Sequence, residues 1–203
     1  MQFFRKAAGP TASLGVFPGT FNPVTVAHLA LAQSALQHVD EVVFVLPRVL
    51  PHKAYSGASF AERILMLETV AAGEPRWSIA ATDGGLFAEI ADECRAVYGV
   101  DTRLSFLCGR DAAERIASWD YGRPGVFAEM LNRFGLLVAP RQGQWPAAGA
   151  THPGVRELAI DPAHDAVSAS EVRRRIAAGE PWEHLVPPPV CERVRQFYGP
   201  TAP

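Results

Sequence analysis

The strongest constraint on the fold is a regular alternation of short apolar runs with segments of helical spacing between residues 14 and 139. The apolar runs have the length of buried strands, and the segments between them repeat apolar residues at helical intervals. The predicted strands cover residues 14–17, 41–46, 77–81, 104–108 and 134–139, with a further strand at 155–160. The predicted helices cover residues 26–38, 60–72, 86–98, 112–118 and 126–132. This alternation predicts an α/β fold with a parallel sheet between helical layers.

Polar segments follow several of these strands at the point where each strand ends. They lie at residues 19–28, 51–53 and 109–111, and a fourth polar segment at 168–173 opens a late helix. In an open parallel sheet, ligands bind beyond the carboxyl ends of the strands, where the strand order reverses. We therefore expect these four segments to converge on one site.

The first of these segments predicts a phosphate site. Residues 14–28 read LGVFPGTFNPVTVAH, in which Pro18 and Gly19 end the strand and a helix begins just past Pro23. The first turn of a helix has unpaired N–H groups and the positive end of the helix dipole, and both favour a polyphosphate. Thr25 and His28 are three residues apart and share one helix face. The alternative is a structural role, with Thr25 as a helix cap and His28 as a buried histidine.

This segment, GTFNPxTxxH, resembles the (T/H)xxH signature of the nucleotidyltransferase superfamily. Residues 167–173, VSASEVR, resemble its second signature, ISSTxIR. The resemblance implies a Rossmann-like, doubly wound, three-layer α/β/α fold of the adenine nucleotide alpha hydrolase-like type. It implies catalytic roles for Thr25, His28 and Arg173. It implies ATP contacts for Gly19, Thr20, Phe21, Asn22, Ser168 and Ser170.

Both the second signature and a loop lysine also have structural interpretations. Ser168 with Glu171 three residues later is typical of a capping box, which is compatible with phosphate binding. Lys53, in the sequence LPHK after the second strand, resembles the family's loop lysine, which implies a contact with phosphate. A lysine ammonium is a compact donor for phosphate, although many loop lysines only cover a solvated surface.

A third segment resembles the nicotinate mononucleotide adenylyltransferases within the superfamily. Residues 107–119, LCGRDAAERIASW, place Gly109, Asp111 and Trp119 at the spacing of that branch. The resemblance implies that Gly109 and Asp111 contact the nucleotide and that Trp119 stacks on the nicotinate ring. A carboxylate can accept hydrogen bonds from ribose hydroxyls, and an indole face suits a pyridinium. The structural alternatives are Asp111 as a helix N-cap and Trp119 as a core residue.

The identity of the acceptor depends on less regular matches. Thr82 and Asp83 occupy the position of the family's acceptor loop, but the sequence TDGG at 82–85 departs from its pattern. Thr25 stands where the nicotinate enzymes commonly have histidine, a variant more typical of the phosphopantetheine branch. We predict transfer of AMP from ATP to nicotinate or nicotinamide mononucleotide in NAD biosynthesis, with release of pyrophosphate. The alternatives are a phosphopantetheine adenylyltransferase and a nucleotide-binding protein that has lost catalysis.

Composition limits the remaining classes of function. The 203 residues are 48% hydrophobic, which predicts one domain over residues 14–203 after an irregular lead-in at 1–13. A net charge of −2 argues against a nucleic-acid partner, so we expect small-molecule partners, ATP and a pyridine mononucleotide. No apolar run has the length of a membrane span, and no membrane association is predicted. A homodimer through the predicted helix at 190–198 is an open alternative to a monomer.

The cysteines indicate the cellular compartment, and the predicted reaction with ATP indicates the metal. Cys94, Cys108 and Cys191 form no CxxC pair, so neither a disulfide framework nor a structural zinc site is predicted. A reducing cytoplasm is the expected location. We expect Mg²⁺ to be bound mainly through the ATP phosphates, without ligands from the protein.

Overall fold

The structure is a computed structural model that describes residues 1–48, 57–139 and 152–199. Within these residues, seven strands form one sheet. The strands are β1 (Gln2–Arg5), β2 (Ser13–Pro18), β3 (Glu41–Pro47), β4 (Trp77–Thr82), β5 (Arg103–Gly109), β6 (Gly135–Ala139) and β7 (Val155–Glu157). The helices are α1 (Val26–Ala35), α2 (Phe60–Ala71), α3 (Phe87–Tyr98), α4 (Arg110–Ser118), α5 (Val126–Arg133), α6 (Ala169–Ala178) and α7 (Cys191–Tyr198). Short 3-10 helices lie at Pro162–His164, Glu183–Leu185 and Pro188–Val190.

The strand order is β1-β4-β3-β2-β5-β6-β7, and β2 to β7 are parallel. After the edge strand β1, the chain enters the centre of the sheet with β2 and builds outward through β3 and β4. It then returns to place β5 on the other side of β2. The order therefore reverses between β2 and β5, which is where doubly wound sheets bind their ligands. The predicted Rossmann-like α/β fold is confirmed.

Two apolar clusters cover the two faces of the sheet. Alternate residues of β3 divide between them, with Phe44 in one cluster and Val43 in the other. The first cluster includes residues of α1, α2, α6 and α7, and the second includes residues of α3, α4 and α5. Burial on both faces explains why the central strands are continuous apolar runs rather than alternating ones.

The N-terminal segment differs from the irregular lead-in expected over residues 1–13. Gln2–Arg5 forms an edge strand, which pairs antiparallel with β4 and places Phe3 opposite Ala80. The Phe3 ring packs against Tyr98, and the Arg5 guanidinium donates to the carbonyl of Trp77. These partners are distant in sequence, so no local pattern indicated the strand.

Smaller differences concern the ends of two elements. The first helix ends at Ala35, before the predicted boundary at 38, and β7 ends at Glu157 rather than at 160. Among the described helices, none combines the length and the apolar character needed to cross a membrane.

Candidate active site

A cavity of about 320 Å³ lies beyond the carboxyl ends of β2 and β5. It brings together five of the residues predicted from the sequence, namely Thr25, His28, Gly109, Asp111 and Ser168. Thr25, Gly109 and Ser168 are the N-cap residues of α1, α4 and α6. Three helix N-termini therefore border one cavity, and the positive ends of three helix dipoles make it attractive to anions.

Thr25 and His28 hold each other at the start of α1. The Thr25 hydroxyl accepts a hydrogen bond from the backbone N–H of His28 at 3.3 Å. The backbone N–H of Thr25 in turn donates to His28 Nδ1 at 3.0 Å. This is a capping box in which histidine replaces the usual glutamate or glutamine. The sequence alternative of a capping role for Thr25 is thus correct, and it also positions the imidazole beside the cavity.

The hydrogen bond from Thr25 fixes the tautomer of His28. Because a backbone N–H can only donate, Nδ1 must accept, and the proton of the neutral ring lies on Nε2. The ring packs against Phe17 and Phe21, with centroid distances of 5.9 and 5.2 Å. Burial against these rings lowers the pKa of His28 from 6.5 to about 4. At neutral pH the imidazole is therefore an uncharged ring with one N–H donor at the cavity.

The loop from Gly19 to Asn22 packs against the His28 ring through Phe21. Phe21 is buried against Phe17, Phe44 and His28, and its φ of 47° lies in the left-handed region. A Cβ on Gly19 would lie 2.9 Å from the Phe21 ring, and the Gly19 N–H donates to the carbonyl of Val45 at 3.0 Å. Glycine is thus needed at position 19 to make room for Phe21, and the ATP contact implied for Gly19 stays a prediction.

Three side chains from distant helices hold the same loop. Arg63 of α2 donates to the Thr20 carbonyl at 2.9 Å, and Arg173 of α6 donates to the Asn22 carbonyl. The Tyr198 hydroxyl of α7 donates to the side-chain oxygen of Asn22. Sequence reasoning did not find this arrangement. The sequence offers one signal, which is Arg63 directly before the apolar run ILML of α2.

The start of α6 is capped by one half of the predicted capping box. The Ser168 hydroxyl accepts from the N–H of Glu171 at 3.1 Å. The Glu171 carboxylate does not return to Ser168 but pairs with Arg174 and Arg175 at 2.8 and 2.7 Å. Hydrogen bonds from Arg174 and then Arg175 lower the pKa of Glu171 to about 2.

Arg173 reaches the loop rather than the wall of the cavity. Besides the Asn22 carbonyl, its guanidinium donates to the exposed Ser170 hydroxyl at 3.3 Å. Of the residues that the structure describes, Arg173 and Tyr198 line a neighbouring cavity of about 500 Å³ instead. The guanidinium thus contacts the loop that carries Phe21 and does not line the first cavity.

The start of α4 is open to the cavity. Gly109 caps the helix without a side chain, and a Cβ placed there would meet nothing within 4 Å. Asp111 lies in the first turn and is exposed, so the alternative that it is the N-cap is wrong. Trp119 ends the helix with 67% of its surface exposed, which excludes the alternative that it fills the core.

The structure does not bring the predicted acceptor residues Thr82 and Asp83 into this cavity. Thr82 is buried, and its hydroxyl donates to the carboxylate of Glu93. Asp83 pairs with Arg48 at 3.5 Å. Both side chains therefore stabilise the turn after β4. Lys53, predicted to bind phosphate, lies outside the described residues.

Polar and charged residues that the sequence analysis did not predict also line the cavity. Arg110 and Arg115 of α4 and the consecutive His164 and Asp165 line it. Their position in the sequence was the available signal. Arg110 and Arg115 lie within residues 107–119, and His164 and Asp165 lie shortly before residues 167–173. Arg110 forms an ion pair with Glu114 at 2.7 Å. Mixed charge of this kind suits a ligand with both phosphates and hydroxyls.

The chain matches one protein family and several known proteins. The family model described as cytidylyltransferase-like matches residues 16–175. A protein of Bordetella pertussis named "probable nicotinate-nucleotide adenylyltransferase" is 32% identical, over 88% of this chain and 92% of its own length. A protein of the same name from Cellvibrio japonicus is 31% identical, over 91% of this chain and 96% of its own length.

A solved structure shares the fold. The nicotinic acid mononucleotide adenylyltransferase of Plasmodium falciparum, complexed with NaAD, matches with a TM-score of 0.69. The match covers 91% of this chain and 95% of that one at 16% sequence identity. At this identity the likeness establishes a common architecture.

Proposed function

This chain belongs to the cytidylyltransferase-like family, and we propose that it is a nicotinate-nucleotide adenylyltransferase, which transfers AMP from ATP to nicotinate mononucleotide. The relatives that carry this name match nearly the whole chain. One structural observation supports the proposal above all others. It is the neutral His28 donor, held by Thr25 in a cavity that three helix N-termini border.

In the proposed reaction, a 5′-phosphate oxygen of the mononucleotide attacks the α-phosphorus of ATP, and pyrophosphate leaves. No protein nucleophile is required, so catalysis depends on alignment and on stabilising charge as it spreads over the phosphate oxygens. His28 Nε2–H donates to an α-phosphate oxygen, and its rigid attachment to Thr25 removes the need to reorganise in the transition state. The N-termini of α1 and α6 stabilise the remaining phosphate charge.

Other predicted residues have supporting roles in this proposal. Asp111 accepts hydrogen bonds from ribose hydroxyls, and Ser168 positions the N-terminus of α6. Arg173 holds the carbonyl of Asn22, and Trp119 offers an exposed ring face to the nicotinate. We assign no ligand contact to Thr82, because its hydroxyl donates a hydrogen bond to the Glu93 carboxylate. The phosphate contact of Lys53 stays a prediction.

The residues at the cavity fit a magnesium ion carried by the substrate. Within residues 1–48, 57–139 and 152–199, no group of three or more His, Cys, Asp or Glu could hold a metal. Asp111 and Asp165 are the carboxylates among the described lining residues. We propose that Mg²⁺, when bound, neutralises phosphate charge mainly from the ATP itself.

We also propose a cytoplasmic location and leave the homodimer through α7 as a prediction. Cys94, Cys108 and Cys191 are free thiols, as expected in a reducing compartment. Burial raises the pKa of the Cys94 and Cys108 thiols to about 12, which keeps them protonated and unreactive.

A panel of acceptors tests the proposed function. The purified protein is incubated with ATP and Mg²⁺ and with nicotinate mononucleotide, nicotinamide mononucleotide or 4′-phosphopantetheine, and pyrophosphate release is measured. We expect the highest kcat/KM with nicotinate mononucleotide. Turnover with phosphopantetheine alone would contradict the proposal. ATP binding without pyrophosphate release from any acceptor would also contradict it and would indicate a nucleotide-binding protein.

A further inference from the structure

The last helix of the described chain contacts the loop that supports His28. The Tyr198 hydroxyl of α7 donates to Asn22 Oδ1 across a sequence separation of 176 residues. Asn22 is 4% exposed, so its amide oxygen has little access to water and depends on protein donors. Tyr198 is not among the described residues that line the His28 cavity. The hydrogen bond to Asn22 connects Tyr198 to the loop that packs against His28.

The surroundings of Asn22 leave its side chain little freedom. A Cβ on Gly57 would lie 2.6 Å from Asn22 Oδ1 and 3.1 Å from the Tyr198 ring, so Gly57 packs against the contact itself. The carbonyl of Asn22 accepts from Arg173, and that of Thr20 accepts from Arg63. Backbone and side chain are thus held from different helices, which fixes the loop on both sides of Phe21.

The position of Phe21 determines what His28 packs against. The two rings make an edge-to-face contact with centroids 5.2 Å apart. Phe21 is the one non-glycine residue with positive φ among those described, a conformation that persists only where surrounding contacts enforce it. A loop released at Asn22 can relax at Phe21, and the His28 ring then loses part of its support.

We propose that Tyr198 is a positioning residue for adenylyl transfer, which acts through Asn22 on the Phe21–His28 contact. The inference rests on the proposed function. A donor such as His28 contributes mainly in the transition state, where a small misplacement is costly. Loss of the Tyr198 hydroxyl is therefore expected to lower kcat about tenfold. The KM for ATP should change less than about threefold, since the helix N-termini remain in place.

The chain offers a matched control for this substitution. Tyr198→Phe removes only the hydroxyl. Tyr98→Phe makes the same change where the hydroxyl donates to the buried Glu41, at the amino end of β3 and away from the cavity. We expect Tyr98→Phe to lower the melting temperature and to keep kcat, and Tyr198→Phe to lower kcat at temperatures well below unfolding. Wild-type kcat in Tyr198→Phe would overturn the proposal.

A double-mutant cycle tests the route through Asn22. In an Asn22→Ala background, Tyr198→Phe should cause no further loss of kcat, because its acceptor is already absent. An equal tenfold loss in both backgrounds would overturn the proposed route.

Hydrogen–deuterium exchange separates this inference from the proposed function. We expect the amides of residues 19–28 to exchange faster in Tyr198→Phe than in Tyr98→Phe, without any substrate present. If the wild type releases no pyrophosphate with any acceptor, the proposed function fails, and this comparison still tests the contact. Equal exchange in the two variants would overturn it.

Discussion

Buried polar groups have opposite uses at the two ends of the parallel strands, called here the amino edge and the carboxyl edge of the sheet. At the amino edge, the buried carboxylate of Glu41 accepts hydrogen bonds from Thr11, Ser78 and Tyr98. At the carboxyl edge, the buried hydroxyl of Thr25 accepts from the N–H of His28, and the neutral imidazole retains its own donor at a cavity. In the first network, the protein supplies every hydrogen bond described here, and the network stabilises the fold. In the second, Thr25 occupies Nδ1 of His28, and the other ring nitrogen is left to donate to a ligand in the cavity.

The largest expected effect is on turnover at the carboxyl edge. His28→Ala removes a preorganised donor and should lower kcat about a hundredfold to a thousandfold. His28→Gln is the matched control, because its amide keeps an N–H donor and should restore part of the rate. The measurement is pyrophosphate release at saturating ATP and acceptor. Near-normal turnover of the alanine variant would contradict a catalytic role for His28 at the carboxyl edge.

The amino edge should respond through stability instead. Glu41→Ala leaves three hydroxyl donors without their shared acceptor and should lower the free energy of unfolding by about 2–4 kcal/mol. Urea denaturation measures this loss. The kcat at low temperature should stay near that of the wild type. A fall in kcat with unchanged stability would show that the two networks are not separate in function.

The smallest expected effect is the pH dependence of stability at His28. The unfolded histidine binds a proton near pH 6.5, whereas burial delays protonation of the folded ring until about pH 4. Between these values the unfolded state binds more protons, so the free energy of unfolding falls as the pH falls. From about pH 7 to about pH 5 the loss due to this group is about 2 kcal/mol.

Urea denaturation of the wild type and of His28→Gln at both pH values measures this contribution. Other groups titrate equally in the two proteins, so the difference between their pH profiles isolates the imidazole. Profiles of identical slope would contradict the lowered pKa.

The central strands and the capping pair were accessible from the sequence because their determinants are local or repetitive. Strands β2 to β6 are buried on both faces and therefore appear as continuous apolar runs. Strand β1 was missed because it is short and its partners lie in β4 and at Tyr98. Thr82 and Asp83 were assigned to the acceptor from their position in the chain. The structure shows that they contact Glu93 and Arg48 and that neither lines the cavity.

The parallel sheet, the break after β2 and the placement of Thr25 and His28 on one helix face could all be predicted from the amino-acid sequence. Helix geometry brings residues three apart to the same face once the helix is predicted. The structure was needed to show that Arg63, Arg173 and Tyr198 hold the loop. It was also needed to show that Thr25 and His28 bond to each other, which leaves the proton of His28 on Nε2. Such contacts depend on where helices that are distant in sequence pack against the sheet. A local pattern of residue types does not contain that information.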